Sequence, residues 1–337
     1  MRVLIIGLGS MGKRRIRNLQ ALGYRDIFGY DPRKDRCIEA NDKYFINCYQ
    51  NFERAVVKIN PEVFIISTPP DLHMEYAYYA YEKSINCFIE ASVVDDEKIL
   101  KLSQMMEDKN FLIVPSCTMD YLPFVIKIRE LIKLNRIGTV LNINYQVGQY
   151  LPDWHPWEDI KDFYVSKKET GAGREIVPFE LTWLNNLFGN PKALACIKTK
   201  LTNLDADIDD IYHFILKYPN NLLANITVEV ISRPKATREL IILGSKGKIS
   251  YTQDTNILKY TNIDMDDWEI IKFDLKNVEK DYIYSEEPYI QEIDDFMKSI
   301  KLKKDNKEVV YNNTLKKDYL VLQILYKLEE LANKVEK

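Results

Sequence analysis

Three glycines near the start of the chain have the spacing of a phosphate-binding turn. Gly7, Gly9 and Gly12 follow a short apolar run, and helical spacing begins after them. A helix that begins at such a turn leaves its first N–H groups unpaired and carries partial positive charge there, which suits a pyrophosphate. Gly7 permits the turn, Gly9 lets the backbone approach phosphate, and Gly12 allows close packing of helix on strand. The pattern predicts a dinucleotide-binding turn with Ser10 and Met11 as further contacts.

An acidic residue ends the second apolar run. Asp31 lies 19 residues after Gly12, where a carboxylate can accept a hydrogen bond from the adenosine ribose and favours NAD over NADP. Arg33 and Lys34 favour the alternative, because a nearby guanidinium can accommodate a 2′-phosphate. We therefore predict NAD as the cofactor, with NADP as the alternative.

The elements that position these residues alternate between strand and helix up to about residue 120. Thr68 and Pro69 follow the apolar strand 63–67, at the carboxyl edge where open α/β sheets bind ligands. His73 lies in the first turn of a predicted helix over 71–82, and Glu90 ends the next strand. Strands alternating with helices predict a parallel sheet covered on both faces, and the four residues Thr68, Pro69, His73 and Glu90 are candidate cofactor contacts.

The second half has a different pattern. Residues 140–149 and 225–230 alternate between apolar and polar side chains, which predicts an antiparallel sheet with one exposed face. Residues 288–300 and 315–331 have the apolar spacing of core helices. The exposed sheet face is a candidate homodimer or homotetramer surface, and a solvated polar face is the alternative.

Composition excludes several classes of protein. The 337 residues are 46% hydrophobic and 29% charged, which is typical of globular proteins, and the net charge of −3 provides no basic surface for nucleic acid. Five cysteines without a C-x-x-C pair indicate neither a disulfide framework nor a zinc site, so we predict no metal. No apolar run is long enough for a membrane span. We expect a cytoplasmic protein with no membrane partner.

Several motifs in this order resemble the Gfo/Idh/MocA oxidoreductases, NAD(P)-dependent enzymes that act mostly on sugars and cyclitols. The resemblance covers nearly the whole chain and rests on residues 7–12, residues 67–73, Glu90, and the segment from Gly171 to Gly189. It implies an α/β fold in which an N-terminal Rossmann domain precedes an α+β domain with an open, mainly antiparallel sheet. We place these domains at residues 1–120 and 121–337, with the C-terminal helices packing back.

Two departures from the family affect proton transfer. Members usually follow the carboxylate at Glu90 with Lys and Pro, whereas this chain has Ala91 and Ser92. Members also tend to have a catalytic His where this chain has Phe179 or Glu180, depending on where a one-residue gap falls. The resemblance therefore implies a rebuilt acid–base site, since oxidation of an alcohol needs a base tuned near neutral pH.

Candidates for this base are few. His155 has the most suitable intrinsic pKa, and Glu175 and Glu180 are carboxylates whose pKa burial would raise. Trp154 and Trp157 lie on either side of His155 in the segment 151–159. This segment resembles a loop of family members linked to nucleotide-sugar and surface-polysaccharide pathways. The two indole rings are candidate surfaces for stacking against a sugar.

Arg174 is a further candidate substrate contact, because a guanidinium can bind a carboxylate or phosphate with two hydrogen bonds. It precedes Glu175 at the predicted start of a helix, so pairing with a neighbouring carboxylate is the alternative.

The leading hypothesis is an NAD(P)-dependent oxidoreductase of a sugar-like substrate, with a nucleotide-activated sugar as one form of it. A second hypothesis is a nucleotide-binding protein without dehydrogenase activity, serving as a sensor or structural partner. A third is NAD used transiently for elimination or hydrolysis. Net formation of reduced cofactor separates the first hypothesis from the other two.

Overall fold

The structure is a computed structural model that describes residues 1–154, 159–162, 164–274, 278, 285–309 and 311–335. The chain divides into two compact units. The first comprises Met1–Thr118 and Glu286–Tyr319, and the second comprises Met119–Ser285 and Leu320–Lys337.

The first 118 residues alternate between short strands and helices. The strands are β1 (Val3–Ile6), β2 (Ile27–Tyr30), β3 (Asn47–Tyr49), β4 (Val63–Ile66), β5 (Asn86–Ile89) and β6 (Ile113–Pro115). The helices are α1 (Ser10–Ala21), α2 (Lys34–Tyr44), α3 (Phe52–Ile59), α4 (His73–Glu82) and α5 (Asp96–Met105).

These six strands form a parallel sheet in the order β3-β2-β1-β4-β5-β6, the doubly wound arrangement of a Rossmann domain. Every residue of β1, β4 and β5 is buried, as expected for strands covered on both faces. The strand order reverses between β1 and β4. A crevice for a ligand is expected at the carboxyl ends of these two strands.

One local prediction in this unit is wrong, and one strand was not predicted. The helix predicted over 71–82 begins at His73, because Pro70–Leu72 forms a separate 3-10 turn and Asp71 gives no side-chain cap. Strand β3 was not predicted, since three residues at a sheet edge carry too little periodicity to be recognised.

Residues 119–285 form the second unit's sheet and its covering helices. The helices are α6 (Pro123–Lys133) and α7 (Gly173–Phe188). The strands are β7 (Val140–Gly148), β8 (Lys192–Thr199), β9 (Ile211–Lys217), β10 (Leu223–Glu229), β11 (Thr237–Gly244), β12 (Gly247–Thr252), β13 (Ile257–Asn262) and β14 (Glu269–Lys272).

The eight strands are ordered β14-β13-β12-β11-β7-β10-β9-β8, and all described neighbours are antiparallel except β7 and β10. The predicted fold class is therefore confirmed. One face packs on α6 and α7, where Phe124 stacks on Tyr251 and Trp183 meets the ring of Tyr145 edge-on. The other face of β7 exposes Asn144.

Two helices complete the chain, α8 (Glu287–Lys304) and α9 (Leu315–Val335). Helix α8 belongs to the first unit, and the division between the units falls inside α9, after Tyr319. None of the helices in the described ranges combines the length and the apolar character needed to cross a membrane.

Candidate functional site

Close backbone packing explains two of the three turn glycines. Gly7 has a φ of +92°, and a Cβ there would lie 2.6 Å from the carbonyl oxygen of Ser67. A Cβ on Gly12 would lie 1.9 Å from the carbonyl oxygen of Gly7. Helix α1 can therefore approach the end of β1 only because both positions lack a side chain.

Gly9 differs, because protein packing does not require a glycine there. The only described atom within 4 Å of an added Cβ is Nη1 of Arg36, at 3.7 Å. Gly9 immediately precedes the first residue of α1, Ser10, and Met11 follows in the same turn. This arrangement fits a cradle in which the backbone approaches a phosphate at a helix N-terminus.

Asp31 connects the end of β2 to this turn. Its Oδ2 accepts the backbone N–H of Leu8 at 2.8 Å, and its Oδ1 accepts that of Arg33 at 2.9 Å. The Arg36 guanidinium lies 3.6 Å from Oδ2, whereas Arg33 pairs with exposed Asp35. The sequence indicated Arg33 as the guanidinium near Asp31, whereas Arg36, five residues after Asp31, was not predicted.

Thr68, Pro69 and His73 follow β4 beside the turn. His73 donates from Nε2 to the carbonyl oxygen of Thr68 at 2.9 Å, and burial lowers the pKa of His73 to about 4. The imidazole is therefore neutral at physiological pH and fixes the loop. The hydroxyl of Thr68 is buried with no hydrogen-bond partner in the described part of the chain, which suits a ligand contact at this edge.

Glu90 takes part in a buried ion-pair network. Arg15, which is fully buried, donates to both Glu90 oxygens at 2.7 and 2.9 Å. Arg15 also lies 2.8 Å from Glu292 of α8, whose carboxylate accepts hydrogen bonds from Ser116 and Thr118. This network holds the carboxyl end of β5 in place.

Ser92, two residues after Glu90, hydrogen-bonds the carboxyl of Asp318 in the first turn of α9. Burial raises the pKa of Asp318 to about 7, and its Oδ2 has no partner among the described residues. The residues on both sides of Ala91 are thus held by side chains from α1 and α9. Helix periodicity alone assigned α9 to the core and gave no sign of this pair.

In the second unit, Glu175 lies in the first turn of α7. Tyr164 donates its hydroxyl to Oε1 at 2.7 Å, while Oε2 is buried with no partner in the described ranges. Burial raises the pKa of Glu175 to about 7, and the Tyr164 hydrogen bond opposes that rise. A carboxyl with this pKa can accept or release a proton near neutral pH. The sequence predicted Glu175 and missed Tyr164.

Trp154 packs against an apolar cluster near α7. The cluster contains Leu151, Val165 and Ala172, and Tyr164 packs against it as well. The indole N–H of Trp154 is buried and has no acceptor among the described residues. Trp154 therefore brings an unused donor to the region that holds Tyr164.

Glu180 accepts four hydrogen bonds from three buried side chains. Arg238 pairs with both oxygens at 2.7 and 2.8 Å, and Tyr145 and Trp183 donate to Oε2 at 2.6 and 2.9 Å. Burial raises the pKa of Glu180. The bidentate ion pair with Arg238 opposes this and holds the charged form. Glu180 and Arg238 thus connect α7 to β11.

Arg174 pairs with a carboxylate of α9. Its Nε donates to Oε1 of Glu329 at 2.7 Å, and it also donates to the carbonyl oxygen of Glu169. The sequence did not show whether Arg174 pairs with a carboxylate of the protein or with a substrate, because Glu329 lies 155 residues away.

Two predicted residues, His155 and Trp157, lie outside the described residues. Within the described ranges, no group of three His, Cys, Asp or Glu side chains is arranged to hold a metal.

The second unit also contains a cavity of about 420 Å³. Aromatic and polar side chains line it, among them Phe124, Tyr251, Phe273, Gln149, Asp153, Ser232, Lys235, Asp254, Asn256 and Asp274. Its size lies within the range of small-molecule sites.

Two family models match the chain. Residues 1–112 match an oxidoreductase family with an NAD-binding Rossmann fold, and residues 125–250 match the GFO/IDH/MocA C-terminal domain. A curated relative, D-xylose 1-dehydrogenase (NADP(+)) from Hypocrea jecorina, is 27% identical over 145 residues. That alignment covers 40% of this chain and 36% of the relative, so the chain spans about a third of that protein's length.

Solved structures share the fold at low identity. An oxidoreductase from Agrobacterium radiobacter in complex with NAD⁺, L-tartaric acid and magnesium has a TM-score of 0.85 at 11% identity. Levoglucosan dehydrogenase in complex with NADH has a TM-score of 0.83 at 18% identity. Each comparison covers 99% of this chain and 97% of the other chain. Myo-inositol 2-dehydrogenase from Lactobacillus plantarum has 0.81 at 16%, covering 99% and 98%. With both domains matched in order, this chain belongs to the Gfo/Idh/MocA family of oxidoreductases and carries its NAD-binding Rossmann domain.

Proposed function

We propose that this chain is an NAD-dependent dehydrogenase of a sugar-like alcohol and that Glu175 takes up the substrate proton. The observation that carries this proposal is the state of the Glu175 carboxyl. One oxygen is held by Tyr164, the other is buried and has no partner among the described residues, and burial raises its pKa to about 7. Such a group is suited to general acid–base catalysis at neutral pH.

The first unit would bind the cofactor. Backbone amides at Gly9, Ser10 and Met11 would hold the diphosphate. The Thr68 hydroxyl, which has no partner within the described ranges, would contact the cofactor beside β4. Asp31 would accept from the adenosine ribose, which favours NAD. The position of Arg36 beside Asp31 supports NADP as the alternative, because a guanidinium there can pair with a 2′-phosphate.

Bound nicotinamide supplies the hydride acceptor. In the proposed reaction, Oε2 of the ionised Glu175 would take up the hydroxyl proton of a secondary alcohol as the alcohol is oxidised to a carbonyl compound, and Glu175 would then release that proton to water.

We infer structural roles for Glu180 and Arg174, because each is committed to a buried or partly buried ion pair. His155, as a base, and Trp157, as a sugar wall, remain predictions.

The lining of the second unit's cavity does not include Glu175, and it supports a sugar only as the class of ligand that this cavity would bind. Rings and uncharged polar groups line it, a combination that suits the faces and hydroxyls of a pyranose. The charged residues that line the cavity in the described part of the chain are Asp153, Asp254, Asp274 and Lys235, and Lys235 pairs with Asp254. The remaining negative charge would repel a diphosphate, so we propose an uncharged sugar rather than a nucleotide-activated one.

We further propose that the exposed face of the second sheet forms a homodimer. Apolar side chains on this face are accessible on neighbouring strands, for example Ile197, Ile215 and Leu223, which are 56%, 40% and 42% exposed. Replacing Ile215 with Lys should convert a dimer to monomer in light scattering. A wild-type protein that is monomeric at micromolar concentration would reject this assembly.

The function is tested with purified protein, NAD, and a panel of free and nucleotide-linked sugars, by following absorbance of the reduced cofactor. Glu175→Gln should lower kcat/KM at least 100-fold, the usual contribution of a general base. Glu269→Gln is the matched control, because Glu269 also accepts from a tyrosine, Tyr260, but lies on the edge strand β14.

The control variant should retain wild-type rates. Full activity of Glu175→Gln would reject Glu175 as the base. NAD binding without reduction across the panel would favour a binding protein, which the absence of a lysine at Ala91 also favours. Product formation without net reduced cofactor would favour elimination or hydrolysis.

A further inference from the structure

Tyr164 is held in place by close backbone packing before α7. A Cβ on Gly171 would lie 2.1 Å from the carbonyl oxygen of Val165, so these two backbone segments touch directly. The carbonyl oxygen of Tyr164 accepts from the hydroxyl of Thr170 at 3.0 Å and from the N–H of Lys167 at 3.2 Å. The phenol is therefore presented to Glu175 from a fixed backbone.

We propose that Tyr164 is a positioning residue for the proposed reaction: its hydroxyl orients the carboxyl of Glu175 so that Oε1 is occupied and Oε2 takes the proton. This inference rests on the proposed role of Glu175. The 2.7 Å bond to Oε1 and the absence of a described partner at Oε2 carry it. Without the Tyr164 hydroxyl, neither oxygen of the Glu175 carboxyl would have a hydrogen-bond partner among the described residues, so nothing there would orient it.

The same hydrogen bond tunes the acidity of Glu175. A donor to a carboxylate stabilises the charged form, so the Tyr164 hydroxyl lowers the pKa that burial raises. Tyr164→Phe removes only this oxygen and keeps the ring that packs against Leu151, Val165 and Ala172. The pKa of Glu175 should then rise further, and the base should be protonated over a wider pH range.

The experiment is the pH profile of kcat/KM for the wild type, Tyr164→Phe and Tyr260→Phe, with NAD and the best substrate of the panel. In Tyr164→Phe, the acidic limb should move up by about one pH unit, the size expected for one hydrogen bond to a charged group. The rate should fall at least tenfold at pH 6 and stay below the wild-type plateau at high pH, because the carboxyl is ionised there but is no longer oriented. Tyr260→Phe, which removes the hydroxyl that donates to Glu269, should leave the profile unchanged.

An unshifted limb in Tyr164→Phe, or a plateau at high pH equal to that of the wild type, would overturn the positioning role. The proposed function would still stand after either result, provided that the wild type is active and the Glu175→Gln variant is inactive. An active Glu175→Gln variant would instead reject the proposed base itself.

A second readout needs no substrate. The folded-state pKa of Glu175, about 7, exceeds the ordinary 4.5, so its contribution to stability is complete below pH 4.5 and is lost as pH rises through 7. Tyr164→Phe should extend this loss to higher pH in urea denaturation. Superimposable pH curves for the two proteins would contradict the proposed coupling.

Discussion

The backbone N–H of Leu8 donates to Oδ2 of Asp31 at 2.8 Å, which ties the glycine turn after β1 to the end of β2. Asp31 is 2% exposed, and its other oxygen accepts from Arg33. The residue that would read the ribose therefore also fixes the loop that would hold the diphosphate. Because one carboxylate serves both purposes, its removal should affect cofactor choice and local stability together.

Asp31→Ala should weaken NAD binding about tenfold, since a charged hydrogen-bond acceptor for the ribose is lost. NADP binding should weaken less, because Arg36 remains and is released from Asp31. Calorimetric titration with both dinucleotides measures the two affinities. Asp35→Ala, which removes an exposed carboxylate paired with Arg33, is the control. Equal losses of affinity for NAD and NADP would reject the ribose role.

Two alanine substitutions in the turn should separate ligand binding from folding. Gly9→Ala brings its Cβ into ordinary van der Waals contact with Nη1 of Arg36, at 3.7 Å, so the free energy of unfolding should stay near that of the wild type while NAD affinity falls at least tenfold. Gly12→Ala drives a Cβ into the carbonyl of Gly7 and should destabilise the protein by about 1–3 kcal/mol. Urea denaturation and calorimetry give the two quantities. A Gly9→Ala variant that binds NAD normally would contradict the proposed cradle.

Asp318→Asn should change how stability depends on pH. The pKa of Asp318 is raised from 3.8 to about 7 in the folded protein, so its contribution to stability is complete below pH 3.8 and is lost as pH rises through 7. The asparagine variant keeps an acceptor for Ser92 and cannot ionise. It should therefore be more stable than the wild type by a few kcal/mol at pH 8. Urea denaturation between pH 5 and 8 measures this, with exposed Asp305→Asn as the control that should have no effect.

Removing Arg15 tests the buried network at the end of β5. Arg15→Met leaves Glu90 and Glu292 without their shared cation and should cost about 3–5 kcal/mol of unfolding free energy. Lys13→Met on the same helix breaks only the partly exposed pair with Glu39 and should cost less than about 1 kcal/mol. Chemical denaturation compares the two variants. Similar costs would indicate that the Arg15 network does not stabilise the carboxyl edge of the sheet.

Most of the fold could be predicted from local sequence patterns. The strand, turn and helix around Gly7–Gly12 lie within about twenty residues, so glycine spacing and apolar periodicity predict them together. The edge strand β3 and the 3-10 turn before α4 escaped prediction, because their conformations depend on pairing with β2 and on the ring of Pro70. The mainly antiparallel second sheet followed from alternation along β7 and β10.

The amino-acid sequence by itself determined the fold class and the strand, turn and helix around Gly7–Gly12, and it limited the candidate bases to a few side chains. Tertiary structure decided which partners the described carboxylates among them have. Glu175 and Glu180 are both carboxylates on α7. Among the described residues, Glu175 accepts from the Tyr164 hydroxyl and its Oε2 has no partner, whereas Glu180 pairs with Arg238 of β11. Burial and hydrogen-bond partners set the pKa of a carboxyl, and sequence spacing reveals neither a partner 58 residues away, Arg238, nor one that a loop brings back from 11 residues away, Tyr164.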